Sequence, residues 1–345
     1  MNMKIIQPKN QNGLSLVEIL VSMVISIFLL GGVIQVYTGN KTTYNFSEAM
    51  SRIQENGRFA MDAITRDLRM AGFWGCATYN FADTRNLVNN LDPGGLGYDT
   101  ALYDFVNNPP VTGTENDGTN GSDSITIRGA APGQTTVLPP YNSPTSDQIF
   151  GANVAGLLEA DDIVLLSNCK GADIFQITSI TQGTGSDPLS IVHNTGSGSP
   201  GNYNPEDCQS GHCLSQTYGG DSAILKLQTV RYTITPNEDG TPALFRALFE
   251  NNFELVDGVE QLQVLYGINT DDSDTNTTPN QYISSTDVTD WRQVTAVRVM
   301  LLMVSPNNVS MPDAQRYRYN NEDIVSTDVR LRQVFSTTIA LRNRI

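Results

Sequence analysis

Gly13-Leu14-Ser15-Leu16-Val17-Glu18-Ile19-Leu20-Val21-Ser22-Met23-Val24-Ile25-Ser26-Ile27-Phe28-Leu29-Leu30-Gly31-Gly32-Val33-Ile34 is the stretch that decides the fold. From Leu14 to Ile34 it carries one charge, Glu18. A helix of that length rises about 32 Å, the thickness of a bilayer core. Lys4 and Lys9 precede it and stay cytoplasmic by the positive-inside rule, so the remaining chain is expected to be exported. A cleavable secretory signal has a shorter apolar core and a small-residue cut site; here Gly39-Asn40-Lys41-Thr42-Thr43 is a poor cleavage signal. A plain signal anchor explains the length and the lysines but not Glu18. A carboxylate inside a membrane helix is costly and calls for a partner.

The helical pattern continues past the apolar run. Phe46, Met50, Ile53, Gly57, Ala60, Ile64, Leu68 and Ala71 recur at spacings of three and four, with charged residues on the other faces. No proline interrupts Leu14 to Gly72, and Gly72 is the expected stop. One helix of about 87 Å is therefore predicted from Leu14 to Ala71, with Gly31-Gly32 and Gly39-Asn40 as places where it could bend. The second stripe reads as ordinary core packing.

Beyond Gly72 the texture changes. The Asn/Gly/Pro/Asp-rich segment up to Asp123 reads as long loops with a short helix near Thr100–Phe105. Strand signals follow at 124–128, 162–167, 173–180, 189–193, 223–235, 243–248, 255–268, 294–305 and 334–342. Val294–Val304 is too apolar for an edge and predicts a central strand with Val297 and Val299 on one face. The expected class is α+β: a long N-terminal helix packed against a large antiparallel β-sheet head.

The formal net charge of −15 argues against nucleic acid as a partner, because phosphate binding needs clustered Lys and Arg. Four cysteines, Cys76, Cys169, Cys208 and Cys213, suit two disulfides in an oxidising compartment. Three pairings are formally possible; the preferred one joins Cys208 to Cys213 and leaves Cys76 with Cys169. A zinc knuckle using His212 is the rival, disfavoured because the chain has two histidines and no second Cys-x-x-Cys. Asp272-Ser273-Asp274-Thr275-Asn276 starts like a calcium loop, but Thr277 stands where the glycine should be and Ile283 where the glutamate should be. The Asp271–Asn276 loop reads instead as a solvated turn. No nucleophile elbow, phosphate-binding loop or His-Glu-x-x-His is present. No catalytic residue, metal ligand or cofactor site is predicted.

Gly13, Leu14, Ser15, Leu16, Val17 and Glu18 carry a resemblance to the type IV prepilins: a short basic leader, Gly, a hydrophobic residue, and Glu ahead of a long apolar helix. Leu14 departs from the usual Phe. The resemblance implies cleavage by prepilin peptidase between Gly13 and Leu14, N-methylation of Leu14, and a subunit-assembly role for Glu18. Phe253–Gly267, Trp291–Val299, Thr338–Asn343 and Met70–Cys76 further resemble PilW-type minor pilins. That implies residence in the inner membrane with a periplasmic head, then in the fibre or its tip. The implied partners are other minor pilins, the major pilin and a tip adhesin. The pseudopilins of type II secretion share the Leu255-Val256-Asp257-Gly258-Val259-like segment and are the nearest alternative. A membrane-anchored periplasmic binding or enzymatic domain is the rival of a different kind. The expected organisation is a leader at 1–13, a membrane and assembly half-helix at 14–36, a head-proximal half-helix at 37–72, and the head at 73–345.

Overall fold

The computed structural model describes residues 15–75, 87–142, 144–154, 156–183, 187–195, 198–203, 208, 213–270, 278–306, 309 and 311–343. One unbroken helix, Leu16–Met70, dominates it. Its 55 residues rise about 82 Å. Gly31, Gly32 and Gly39 sit inside it without interrupting it. The helix ends at Ala71, and Gly72 follows with φ +71, the left-handed conformation that suits glycine at a helix stop.

The head holds two principal sheets. One branches around the long strand Ala223–Pro236, which pairs with Ser124–Ala130, Ile163–Asn168, Pro242–Leu248 and Thr135–Thr136. The other runs in the order Gln281–Ile283, Val259–Ile268, Val294–Val304, Arg332–Ala340. All its pairings are antiparallel. The fold is thus α+β: a long N-terminal helix packed on a largely antiparallel β head.

Val294–Val304 is central, as its apolar run requires. Val297, Val299, Leu301 and Met303 join the helix core on one face, while Met300 and Leu302 lie under the hairpin Arg316–Tyr319/Glu322–Val325 on the other. Ile163–Asn168 and Gly171–Gln176 are likewise buried along their whole length. Their alternate residues feed one cluster around Trp74 and Phe105 and another around Ile149 and Ile191.

Three expectations are corrected. The run 255–268 is not one strand: Asn251–Asp257 pairs with Pro242–Leu248 in the first sheet, and Val259–Ile268 pairs with Val294–Val304 in the second. Gly258 makes the switch with φ +68, while its carbonyl accepts the Val304 N–H at 2.9 Å. The run 173–180 also divides, into Gly171–Gln176 and Ser179–Thr181. Nor is the segment before Asp123 only loop. Leu87–Asn89 pairs in parallel with Gly171–Gln176, and Val111–Thr114 pairs with Ser124–Ala130. The short helix there is Thr100–Tyr103, capped by the Asp99 carboxylate, which accepts the Ala101 N–H.

Candidate functional site

The long helix has two environments. From Leu16 to Tyr37 its large apolar side chains are exposed, Phe28 by 79% and Leu16 by 74%. Its apolar window is long enough to cross a membrane, and none of it is buried by the head. Ser22 and Ser26 donate their hydroxyls back to the carbonyls of Glu18 and Ser22, so these polar side chains are satisfied without water. Glu18 lies in the first turn, where its backbone N–H bonds the Ser15 carbonyl at 3.0 Å. A carboxylate there sits at the positive end of the helix dipole, and its side chain is exposed. Gly13 and Leu14 lie outside the described residues.

From Ala49 onward the helix is gripped. Ala49, Ile53, Gly57, Ala60, Ile64 and Leu68 are buried, with Phe46 and Met50 packed partly against the same core. The Phe335 ring occupies the space a Cβ on Gly57 would need, which explains glycine in mid-helix. Polar bonds fix the register. Asn56 donates to the Asp257 carboxylate at 2.8 Å, beside the Gly258 switch. A cleft of about 540 Å³ opens there, walled by Arg52, Asn56, Asp257, Gly258 and Arg330. Eleven residues on, Asp67 accepts the Tyr232 hydroxyl at 2.6 Å and the Arg246 Nε–H at 2.9 Å. Burial first, and the Asp67 charge second, push the Tyr232 phenol well above its ordinary pKa, so it serves as a permanent donor.

The helix end is stitched to the strand Ser124–Ala130. Gly72 N–H donates to the Arg128 carbonyl at 2.9 Å and Ala130 N–H to the Phe73 carbonyl at 2.9 Å. A Cβ on Gly129 would stand 2.5 Å from the Met70 carbonyl oxygen. Asn343, near the C-terminus, donates to the Arg69 carbonyl at 2.9 Å. Asp67, Tyr232 and Arg246 were not expected from the sequence; the spacing of the apolar stripe placed the helix face but not its polar bolts.

Cys208 and Cys213 form a disulfide that closes a short loop. Cys169 is also disulfide-bonded; Cys76, its expected partner, lies outside the described residues, as do His212 and the Asp271–Asn276 loop. Among the described residues no group of three or more His, Cys, Asp or Glu side chains could hold a metal ion.

A bare apolar half-helix continuous with a half clasped by an antiparallel head defines a membrane-anchored, pilin-like subunit. Residues 8–34 match the family model described as prokaryotic N-terminal methylation motif, and residues 231–343 match that described as type IV pilus-assembly protein W. These matches support a type IV pilus minor pilin of the PilW family. The second match begins in the long strand Ala223–Pro236 and takes in the Gly258 switch and the whole second sheet. No curated protein and no solved structure gives a match.

Proposed function

We propose that this minor pilin acts in a priming or tip complex that starts fibre assembly, and that it is a structural subunit without a catalytic role. The observation carrying this reading is the bare half-helix with a single carboxylate, Glu18, in its first turn. Cleavage by prepilin peptidase after Gly13 creates an amine at Leu14, which is then N-methylated. The Glu18 carboxylate of one subunit neutralises the Leu14 amine of its neighbour as both leave the bilayer. In low dielectric an unpaired member of that pair is strongly penalised, so the pair sets register more than it adds stability. The head waits in the periplasm and ends at the fibre or its tip, among other minor pilins, the major pilin and an adhesin.

Replacing Glu18 by Ala or Gln is expected to leave the chain in the membrane fraction but remove it from sheared fibres. Normal incorporation of either variant would sink the assembly role. Intact-mass measurement of the wild-type chain is expected to give a methylated Leu14 terminus. A chain still beginning at Met1 in cells with active prepilin peptidase would defeat the processing step. Deleting the gene is expected to lower fibre number; unchanged fibre number would defeat the priming role alone.

A further inference from the structure

The strand Arg332–Ala340 ends the second sheet, and its nine residues pair with Val294–Val304 on one side only. Which backbone groups face outward follows from its two ends. Arg332 N–H donates to the Gln315 side-chain oxygen at 2.7 Å and Arg332 carbonyl accepts from the Gln315 amide at 2.8 Å, so Arg332 points away from the sheet. Leu341 N–H donates to the Thr295 carbonyl at 2.9 Å, so Leu341 points toward it. The register between them has no shift. Alternation then turns the N–H and carbonyl groups of Ser336, Thr338 and Ala340 outward. Among the described residues none of these six groups has a hydrogen-bond partner, and all three side chains are exposed.

Natural edge strands are usually blunted by proline, a bulge, an inward-pointing charge or a covering element. The hairpin Arg316–Tyr319/Glu322–Val325 and Gln315 cover the beginning of this strand, and among the described residues its second half has no such device. Beside that half runs a groove of about 320 Å³ between strand and helix, lined by Arg58, Met61, Asp62, Thr65, Arg69 and Phe335–Thr337. Asp62 is engaged by Arg66 at 2.8 Å. Arg58 and Arg69 have no carboxylate partner among the described residues.

We propose that Ser336–Ala340 is a docking edge that takes an extended, acidic segment of a different chain as an added strand. The unpaired backbone groups demand a strand, because only another strand supplies donors and acceptors at that spacing. Alternate side chains of the added strand would project over the groove, where Arg58 and Arg69 select carboxylates. A second copy of this chain is the poorer occupant, since its own edge, Ser336-Thr337-Thr338-Ile339-Ala340, brings no carboxylate to Arg58 and Arg69. The edge exists whether or not the chain primes fibre assembly.

The test is amide hydrogen exchange on the full chain in detergent, with two nine-residue peptides as probes: alternating Glu and Thr, or alternating Lys and Thr. The Glu peptide is expected to slow exchange at Ser336, Thr338 and Ala340 by at least about tenfold, and the Lys peptide to leave it unchanged. Thr338→Pro removes an outward N–H at a position an edge strand tolerates. It should abolish the Glu peptide's effect without altering exchange in Val294–Val304, and Ser336→Pro should do the same. Should either proline disturb the sheet, Arg58→Glu combined with Arg69→Glu gives an independent reading, switching the preference to the Lys peptide. No protection by the Glu peptide, equal protection by both peptides, or protection indifferent to the arginine reversal overturns the proposal. So does protection that rises with protein concentration and no peptide, which would make a second copy the occupant.

Discussion

The two halves of the long helix share one backbone conformation and almost nothing else. Leu16–Tyr37 exposes apolar residues on every side; from Ala49 to Leu68 they narrow to a single stripe covered by both sheets. Soluble helices draw most of their stability from one buried face, so the clasped half is held by the head. The bare half has no such face. Its stability as a helix comes from the bilayer, which leaves backbone groups no partner except each other. Substitutions of the same chemical kind should therefore act differently along one helix.

Ile64→Ala against Ile25→Ala is the sharpest form of that contrast. Ile64 is fully buried and Ile25 is 54% exposed. Ile64→Ala should destabilise the head by about 3–4 kcal/mol in thermal or denaturant unfolding, while Ile25→Ala should leave head unfolding unchanged. Equal effects would break the comparison. Asp67→Ala comes next, at about 2–3 kcal/mol. It strands the Tyr232 hydroxyl and the Arg246 guanidinium, although Arg246 keeps some access to water. A double-mutant cycle with Arg246→Ala should recover part of that loss. Gly129→Ala forces a methyl against the Met70 carbonyl and should cost about 1–2 kcal/mol, with faster hydrogen exchange at Gly72 as its local signature.

The smallest expected effect concerns how the two sheets under the helix are joined. Asp123 is buried, and its carboxylate accepts the Val264 N–H at 2.8 Å and the Asn116 N–H at 3.2 Å. Burial, only partly offset by these bonds, raises its pKa from 3.8 to about 6. The folded state thus binds the proton more tightly than the unfolded chain. Its contribution to stability grows as pH falls from 7 toward 5, by about 1 kcal/mol, and is lost as pH rises through 6. Asp328, held below the ordinary carboxylate range chiefly by its hydrogen bond with Arg332, works in the opposite sense but only at lower pH. Asp123→Asn should flatten the difference in melting temperature between pH 5 and pH 7 relative to wild type. A variant that keeps the full wild-type slope would assign it to another group.

Much of this was legible in the sequence, for identifiable reasons. The helix announced itself because its apolar periodicity runs unbroken, and Val294–Val304 because a β-branched run must be buried on both faces. The division at Gly258 was hidden because the apolar alternation continues across it; only the positive φ of one glycine separates two sheets. Leu87–Asn89 and Val111–Thr114 were missed because three or four residues are too few to show a period. Their partners lie elsewhere in the chain. The Asp67 bonds to Tyr232 and Arg246 join residues 165 and 179 positions apart, a distance no local pattern spans. Glu18, by contrast, stood out because its surroundings are uniformly apolar.

Asn56 and Asp67 can also be read as the two bolts of a cantilever. They stand roughly 16 Å apart along the helix axis, and the free arm from Asn56 to Leu16 extends about 60 Å beyond the first. By simple leverage, a sideways pull at the tip of that arm loads the Asp67 bolt roughly fourfold. The three-way contact of carboxylate, phenol and guanidinium therefore has to resist several times the pull applied at the tip, while the bending moment itself peaks at Asn56.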